Sequence, residues 1–339
     1  TDYWVHFPGD PLDDFKEMFS SDMVLAEQIW TTVERSGRRA LAMNYPGAAP
    51  WKLERGIFVG GEGAPESGSD FELKTGCCFV SPAAEPGTRK ATVVTFDGDP
   101  PRALLELVPD KGQAPRGVTY QSVLQDDRLE IRDEVGQVRA SLRPGEWSDW
   151  LLDRFEVHGQ ERRGWFRFYL TELSDGGERV KLFTSQIFPE TGWTVPDALG
   201  PELVARFGPY VEYDGAGPYR RGWQDISAWY DTMRTKGHWM ARAGSYLVDT
   251  YGVDLYYSHF HMLDHVFHYL WGGFDPLTGW YDPARAAEFE GYMLEAHKIV
   301  DETLGLYMEQ AGPDTAIVVV SDHGLIPHIK AVSINNLLA

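Results

Sequence analysis

The chain has 339 residues, 43% of them hydrophobic and 24% charged, with 31 Lys and Arg against 51 Asp and Glu. That is the composition of a folded protein, and its formal charge of -20 argues against a nucleic-acid polymer as partner, because phosphate backbones need clustered cations. No apolar run reaches the length of a transmembrane helix, which argues against a membrane span.

The chain opens at Thr1 with no initiator Met and no signal-peptide pattern, so it reads as a processed or truncated start. Ser21 or Asp22 suits the N-cap of a helix running to about Ser36, with Val24, Leu25, Ile29 and Val33 on one face and Gly37 as its stop. Residues 39–45 then read as a strand closed by Pro46-Gly47. The turn Gly60-Gly61-Glu62-Gly63 lacks a following helix pattern, which favours a plain loop over an anion cradle. The neighbouring Cys77 and Cys78 are the only cysteines and offer no disulfide framework, which favours a reducing, cytoplasmic setting.

From 71 to 188 the pattern becomes that of an antiparallel, β-rich insertion. Short strands are predicted at 91–96, 103–108, 129–131, 137–142, 165–173 and 180–187, separated by turn residues. In 165–173, Trp165, Arg167, Tyr169 and Thr171 share one face and Phe166, Phe168 and Leu170 the other. Helix–strand alternation returns near 223, with helices predicted at 224–251 and 285–310 and a short strand at 254–257. The inner face of the second helix is expected to hold Phe289, Tyr292, Ala296, Ile299, Thr303 and Leu304. Gly312-Pro313 ends that helix, and 315–320 reads as a continuous apolar strand buried on both faces.

Two segments carry the chemistry. Asp264 and His268 are four residues apart, so one helical turn points both side chains the same way. A carboxylate and a neutral imidazole suit Zn²⁺, with Mn²⁺ or Fe²⁺ as alternatives. His259, His261 and His265 read better as supporting polar groups than as ligands. Asp322 and His323 leave the end of the 315–320 strand, and Gly324 permits a sharp turn there. Consecutive residues on an extended backbone face opposite ways, so each could serve one of two neighbouring ions.

Asp264-x-x-x-His268, then an apolar strand and Ser321-Asp322-His323-Gly324, resembles the alkaline phosphatase superfamily, nearest its type I phosphodiesterase/nucleotide pyrophosphatase branch. Residues 40–50 resemble that family's strand and Pro-rich turn, and 334–338 the segment after its Ser-Asp-His-Gly motif. The resemblance implies an α/β fold: a core with a largely parallel sheet flanked by helices, split into 1–70 and 189–339 around a cap-like insertion at 71–188. It implies two divalent ions, Zn²⁺ or alternatively Mn²⁺, with Asp264 and His268 on the first and Asp322 and His323 on the second. The substrate class implied is a small phosphoester, cleaved by a Thr or Ser nucleophile.

The family's metal-binding Asp and its nucleophile would precede Thr1, and its last His would follow Ala339. His328 lies too close after the motif to replace that His. The chain is therefore expected to be an internal fragment with near-background turnover by itself. Alternatives are an inactive metal-binding or ligand-binding module, a phosphomonoesterase, a phosphonate hydrolase or a phosphomutase. The modified Cys or Ser motif of sulfatases is not found.

Overall fold

The computed structural model describes residues 20–60, 71–84, 90–211 and 215–326, with 4–5, 9, 11 and 16–17. Residues 61–63, His328 and 334–338, singled out above, lie outside the described residues. The chain divides into two compact units, Thr1–His259 and Phe260–Ala339.

In the first unit, the run Ala40–Met43 is apolar on both faces and is buried throughout, as a central strand must be. It pairs in parallel with Ile57–Val59 on one side and Leu255–Ser258 on the other, while Thr194–Val195 joins the edge antiparallel. Asn44 follows at φ 51°, a left-handed conformation that Asn tolerates, and turns the chain into Pro46-Gly47.

The preceding helix is shorter than its pattern predicts. Ser21 N–H donates to the Ala49 carbonyl and Ser21 Oγ to the Pro50 carbonyl, which ties 20–23 into a 3₁₀ turn. The α-helix therefore spans only Ile29–Arg35 and buries Trp30, leaving Leu25 fully exposed. Its predicted stop at Gly37 holds, with φ 80°.

The segment from 102 to 166 is built from antiparallel hairpins. Arg102–Leu107, Val118–Gln125, Arg128–Arg132 and Val138–Leu142 form a four-stranded meander. Leu151–Val157 and Gln160–Phe166 are joined by His158-Gly159, both at positive φ, the geometry that lets a two-residue loop match strand twist. The predicted strand at 165–173 is broken at Arg167, so that Gln160–Phe166 belongs to one sheet and Phe168–Leu173 to another. Phe166, Phe168 and Leu170 are all completely buried in a shared core with Leu107, Leu129 and Ile131.

Phe168–Leu173 continues through Val180–Thr184 to Cys77–Val80 and Thr92–Val93, the last pair parallel. Both cysteines are free, and burial pushes the Cys77 thiol up to about 11. Among the described residues the sheets are thus mixed, not largely parallel as expected. Nine of the twelve strand pairings among these residues are antiparallel, and the three parallel ones join Ala40–Met43 to Ile57–Val59 and to Leu255–Ser258, and Cys77–Val80 to Thr92–Val93.

Ile226–Tyr251 is the long helix of this unit, capped by Asp225 accepting from the Ala228 N–H and closed by Gly252 at φ 62°. The second unit holds the helices Met262–Phe274 and Ala286–Gln310. Met293, Ala296, Ile299 and Thr303 form the buried stripe of the latter, with Phe289, Tyr292 and Leu304 only half-buried. The expected strand at 315–320 does not form: Val318, Val319 and Val320 are 80%, 70% and 76% exposed. Strand propensity expresses itself only against a ladder partner, and none of the described strands pairs with this run. No helix among the described residues is long and apolar enough to cross a membrane.

Candidate metal site around Asp264

Asp264 sits in the first turn of Met262–Phe274, where the unpaired N–H groups of a helix favour negative charge. One turn later His268 presents its Nε2 3.2 Å from Asp264 Oδ1. The other oxygen, Oδ2, is 2.9 Å from Nε2 of His261, the residue immediately before the helix. Burial alone would push the Asp264 carboxyl up. The hydrogen bond from His261 and the positive charge offered by His261, His268 and His265 outweigh it, and the group is held below the usual carboxylate range.

His323 approaches the same carboxylate, its Nε2 4.0 Å from Asp264 Oδ1. Its Nδ1 lies 3.0 Å from the Gly324 carbonyl. A carbonyl can only accept, so in this contact Nδ1–H is the donor, and Nε2 is the ring nitrogen left facing the two carboxylates. Asp322 Oδ2 is 3.6 Å from that Nε2, which places the two side chains on one side rather than opposite sides. The cause is local. The backbone is bent, not extended, with Ser321 Oγ donating to the His323 carbonyl and the His323 N–H donating to Asp322 Oδ1.

The structure therefore gathers Asp264, His268 and His323, with Asp322 beside His323 and 80% exposed at its side chain. It adds His261 to the first carboxylate. The signal for that contact was in the sequence, because His261 and Asp264 are three apart. His265 lies beside His261, ring centroids 4.4 Å apart and planes tilted by 38°, and His259 lies in the other unit, where its carbonyl accepts from Asn44 Nδ2.

As a donor set, a carboxylate and two imidazoles suit a divalent ion of zinc type. Two ligands of a tetrahedral zinc ion stand about 3.3 Å apart, close to the Asp264–His268 separation of 3.2 Å. Among the described residues, however, no group of three or more His, Cys, Asp or Glu is arranged to hold a metal ion. The chemistry fits; the described geometry supplies a pair.

The family model for type I phosphodiesterase/nucleotide pyrophosphatase matches residues 162–339, just over half of the chain and all four candidate ligands. No curated protein and no solved structure matches the chain. On the strength of that family match, the chain belongs to the type I phosphodiesterase/nucleotide pyrophosphatase family, whose activity is of the phosphoesterase type.

Proposed function

We propose that the protein hydrolyses a small phosphoester, a phosphodiester or nucleotide pyrophosphate, in a metal-dependent reaction. Asp264 and His268 would hold one divalent ion, and Asp322 and His323 a second, with Zn²⁺ preferred and Mn²⁺ as the alternative. The observation that carries the reading is convergence: side chains far apart in sequence, His268 and His323, both reach for Asp264 Oδ1 in a chain of this family. When bound there, such ions would supply Lewis acidity at phosphorus and lower the pKa of the attacking hydroxyl.

The chain's own residues do the rest. Asp264, its pKa held below the ordinary carboxylate range, is a carboxylate at neutral pH, and the His261 contact orients it. The Gly324 carbonyl, accepting from His323 Nδ1–H, would leave Nε2 as the nitrogen to face a metal. Gly324 has open space where a Cβ would be, so that the turn leaves this approach clear. The nucleophile, a Thr or Ser in the family pattern, is not assigned to a residue here. The same reading takes the fold as an alkaline-phosphatase-like core, 1–70 with 189–339, carrying 71–188 as a cap-like insertion.

A second reading is a module that binds metal or another ligand without turnover. Both readings are tested by zinc retained after gel filtration, measured by plasma mass spectrometry, beside turnover of bis(4-nitrophenyl) phosphate. Wild-type protein should retain zinc, and Asp264→Ala and His323→Ala should each lose most of it. Turnover that disappears in these variants selects the hydrolase; retention without turnover selects the module. Wild-type zinc content in both variants contradicts the site itself.

A further inference from the structure

The break at Arg167 that divides the two sheets also builds a cleft within the first unit. Arg167 is pinned through its backbone, its N–H donating to Ser185 Oγ and its carbonyl accepting from the Ser185 N–H. Its guanidinium lies against two indoles. The guanidinium carbon lies over the Trp147 ring, 3.9 Å from the centroid, and 4.8 Å from that of Trp150. Phe183, Phe188, Tyr210 and Trp229 add further aromatic rings to the lining of this cleft, which is open to solvent.

Stacking satisfies the faces of a guanidinium but not its edge, where five N–H bonds lie in one plane. Among the described residues nothing accepts from that edge, by hydrogen bond or ion pair. Desolvation accordingly pulls the Arg167 pKa down to about 10, with only the more distant charge of Asp231 opposing it. Half-burying a cation without an acceptor is unfavourable, and cation–π contact offsets only part of that loss. The same cleft is lined by Gln224, whose side-chain amide is 5% exposed as a residue and makes no hydrogen bond among the described residues. A flat slot with one guanidinium edge and one spare amide is the complement of a flat body that ends in an oxyanion.

We propose that this cleft binds a small planar aromatic acid, its carboxylate or phosphate forked onto Arg167 and its ring set among the indoles. This site is independent of the Asp264 site and of the phosphoesterase reading. It uses none of the candidate metal ligands, and all its walls belong to residues 76–232.

The test is calorimetric titration of the full chain in EDTA, which keeps any metal out of the reaction. Benzoate and phenyl phosphate are the ligands, with benzyl alcohol and inorganic phosphate as controls that carry only half of the chemistry. At least one of the two acids should bind saturably and quench tryptophan fluorescence, and the comparison between them tells carboxylate from phosphate. Each control should bind at least about tenfold more weakly. Arg167→Met, which keeps the apolar stem, should weaken the acid at least about tenfold, and Gln224→Ala should weaken it less. If Arg167→Met fails to fold, Arg167→Lys decides, because it keeps the charge and loses the fork; it should still weaken binding. Absence of saturable binding by both acids overturns the proposal. So does undiminished binding by the folded Arg167 variant, or equal binding of benzyl alcohol.

Discussion

Asp110 shows how much local order a single carboxylate can impose in this protein. It accepts from Lys74 Nζ at 2.7 Å, from the Thr75 N–H at 2.8 Å and from Thr75 Oγ1 at 2.6 Å. Burial would push its carboxyl up, but these donors outweigh it and hold the pKa below the ordinary value. A depressed folded pKa means that the stabilisation is complete above the unfolded value, near about 4, and is lost as pH falls through the folded value. Asp110→Asn should therefore lower stability at pH 7 by about 1 kcal/mol, trimmed by the partial exposure of the group. It should also flatten the acid limb of the stability curve. Urea denaturation of both proteins at pH 7 and pH 3 checks this: the gap between them should shrink at the lower pH. The same logic governs Asp264, whose three histidine neighbours make it the most electrostatically prepared carboxylate of the candidate site.

At the scale of elements, strand pairing depends on close backbone approach that only glycine permits at Gly117. A Cβ there would stand 1.8 Å from the Leu107 carbonyl oxygen, so the hairpin Arg102–Leu107/Val118–Gln125 has no room for it. Gly117→Ala should cost about 3 kcal/mol, read as a drop in the urea midpoint, with Gly279→Ala as a milder control because its surroundings are open and its φ is not positive. The elements also show what was legible in advance. Clean alternation made Arg102–Leu107 and the two faces of 165–173 readable, since a period of two has one physical cause.

Leu151–Val157 was missed because Asp153, Arg154 and Glu156 interrupt its apolar positions. Asp153 is there to accept from the Tyr120 hydroxyl at 2.7 Å, a partner no local pattern announces. The first helix was overextended because the tie of Ser21 to residues 49 and 50 is a contact made across nearly thirty positions. The 315–320 run departs in the opposite direction: it has strand propensity, but a ladder partner is not a local property. For the site, the helical spacing of Asp264 and His268 was local and therefore readable. The bend that brings Asp322 and His323 to the same side was not, because it depends on the Ser321 hydroxyl donating to the His323 carbonyl and the His323 N–H donating to Asp322 within an irregular loop.

For the whole molecule, the excess of 51 acidic over 31 basic side chains sets a background of self-repulsion. Salt screens such repulsion over about 10 Å at 0.1 M. The Tm should therefore rise between 10 mM and 200 mM sodium chloride in the absence of divalent ions; a fall would mean that ion pairs such as Lys74–Asp110 outweigh the net charge. The same acidity favours divalent cations generally, so that affinity alone does not identify a built site, whereas dependence on one chosen carboxylate does. Family membership, carried by residues 162–339, says what kind of chemistry to expect, and the histidines around Asp264 say where to look for it.

The most direct measurement is a calorimetric zinc titration of the wild-type chain and of Asp264→Ala at neutral pH and 150 mM salt, where diffuse attraction is screened. The account predicts saturable zinc binding by the wild type and at least about tenfold weaker binding by the variant, as expected for the loss of a ligand. Equal affinity in the two proteins, or no saturable binding in either, would contradict it.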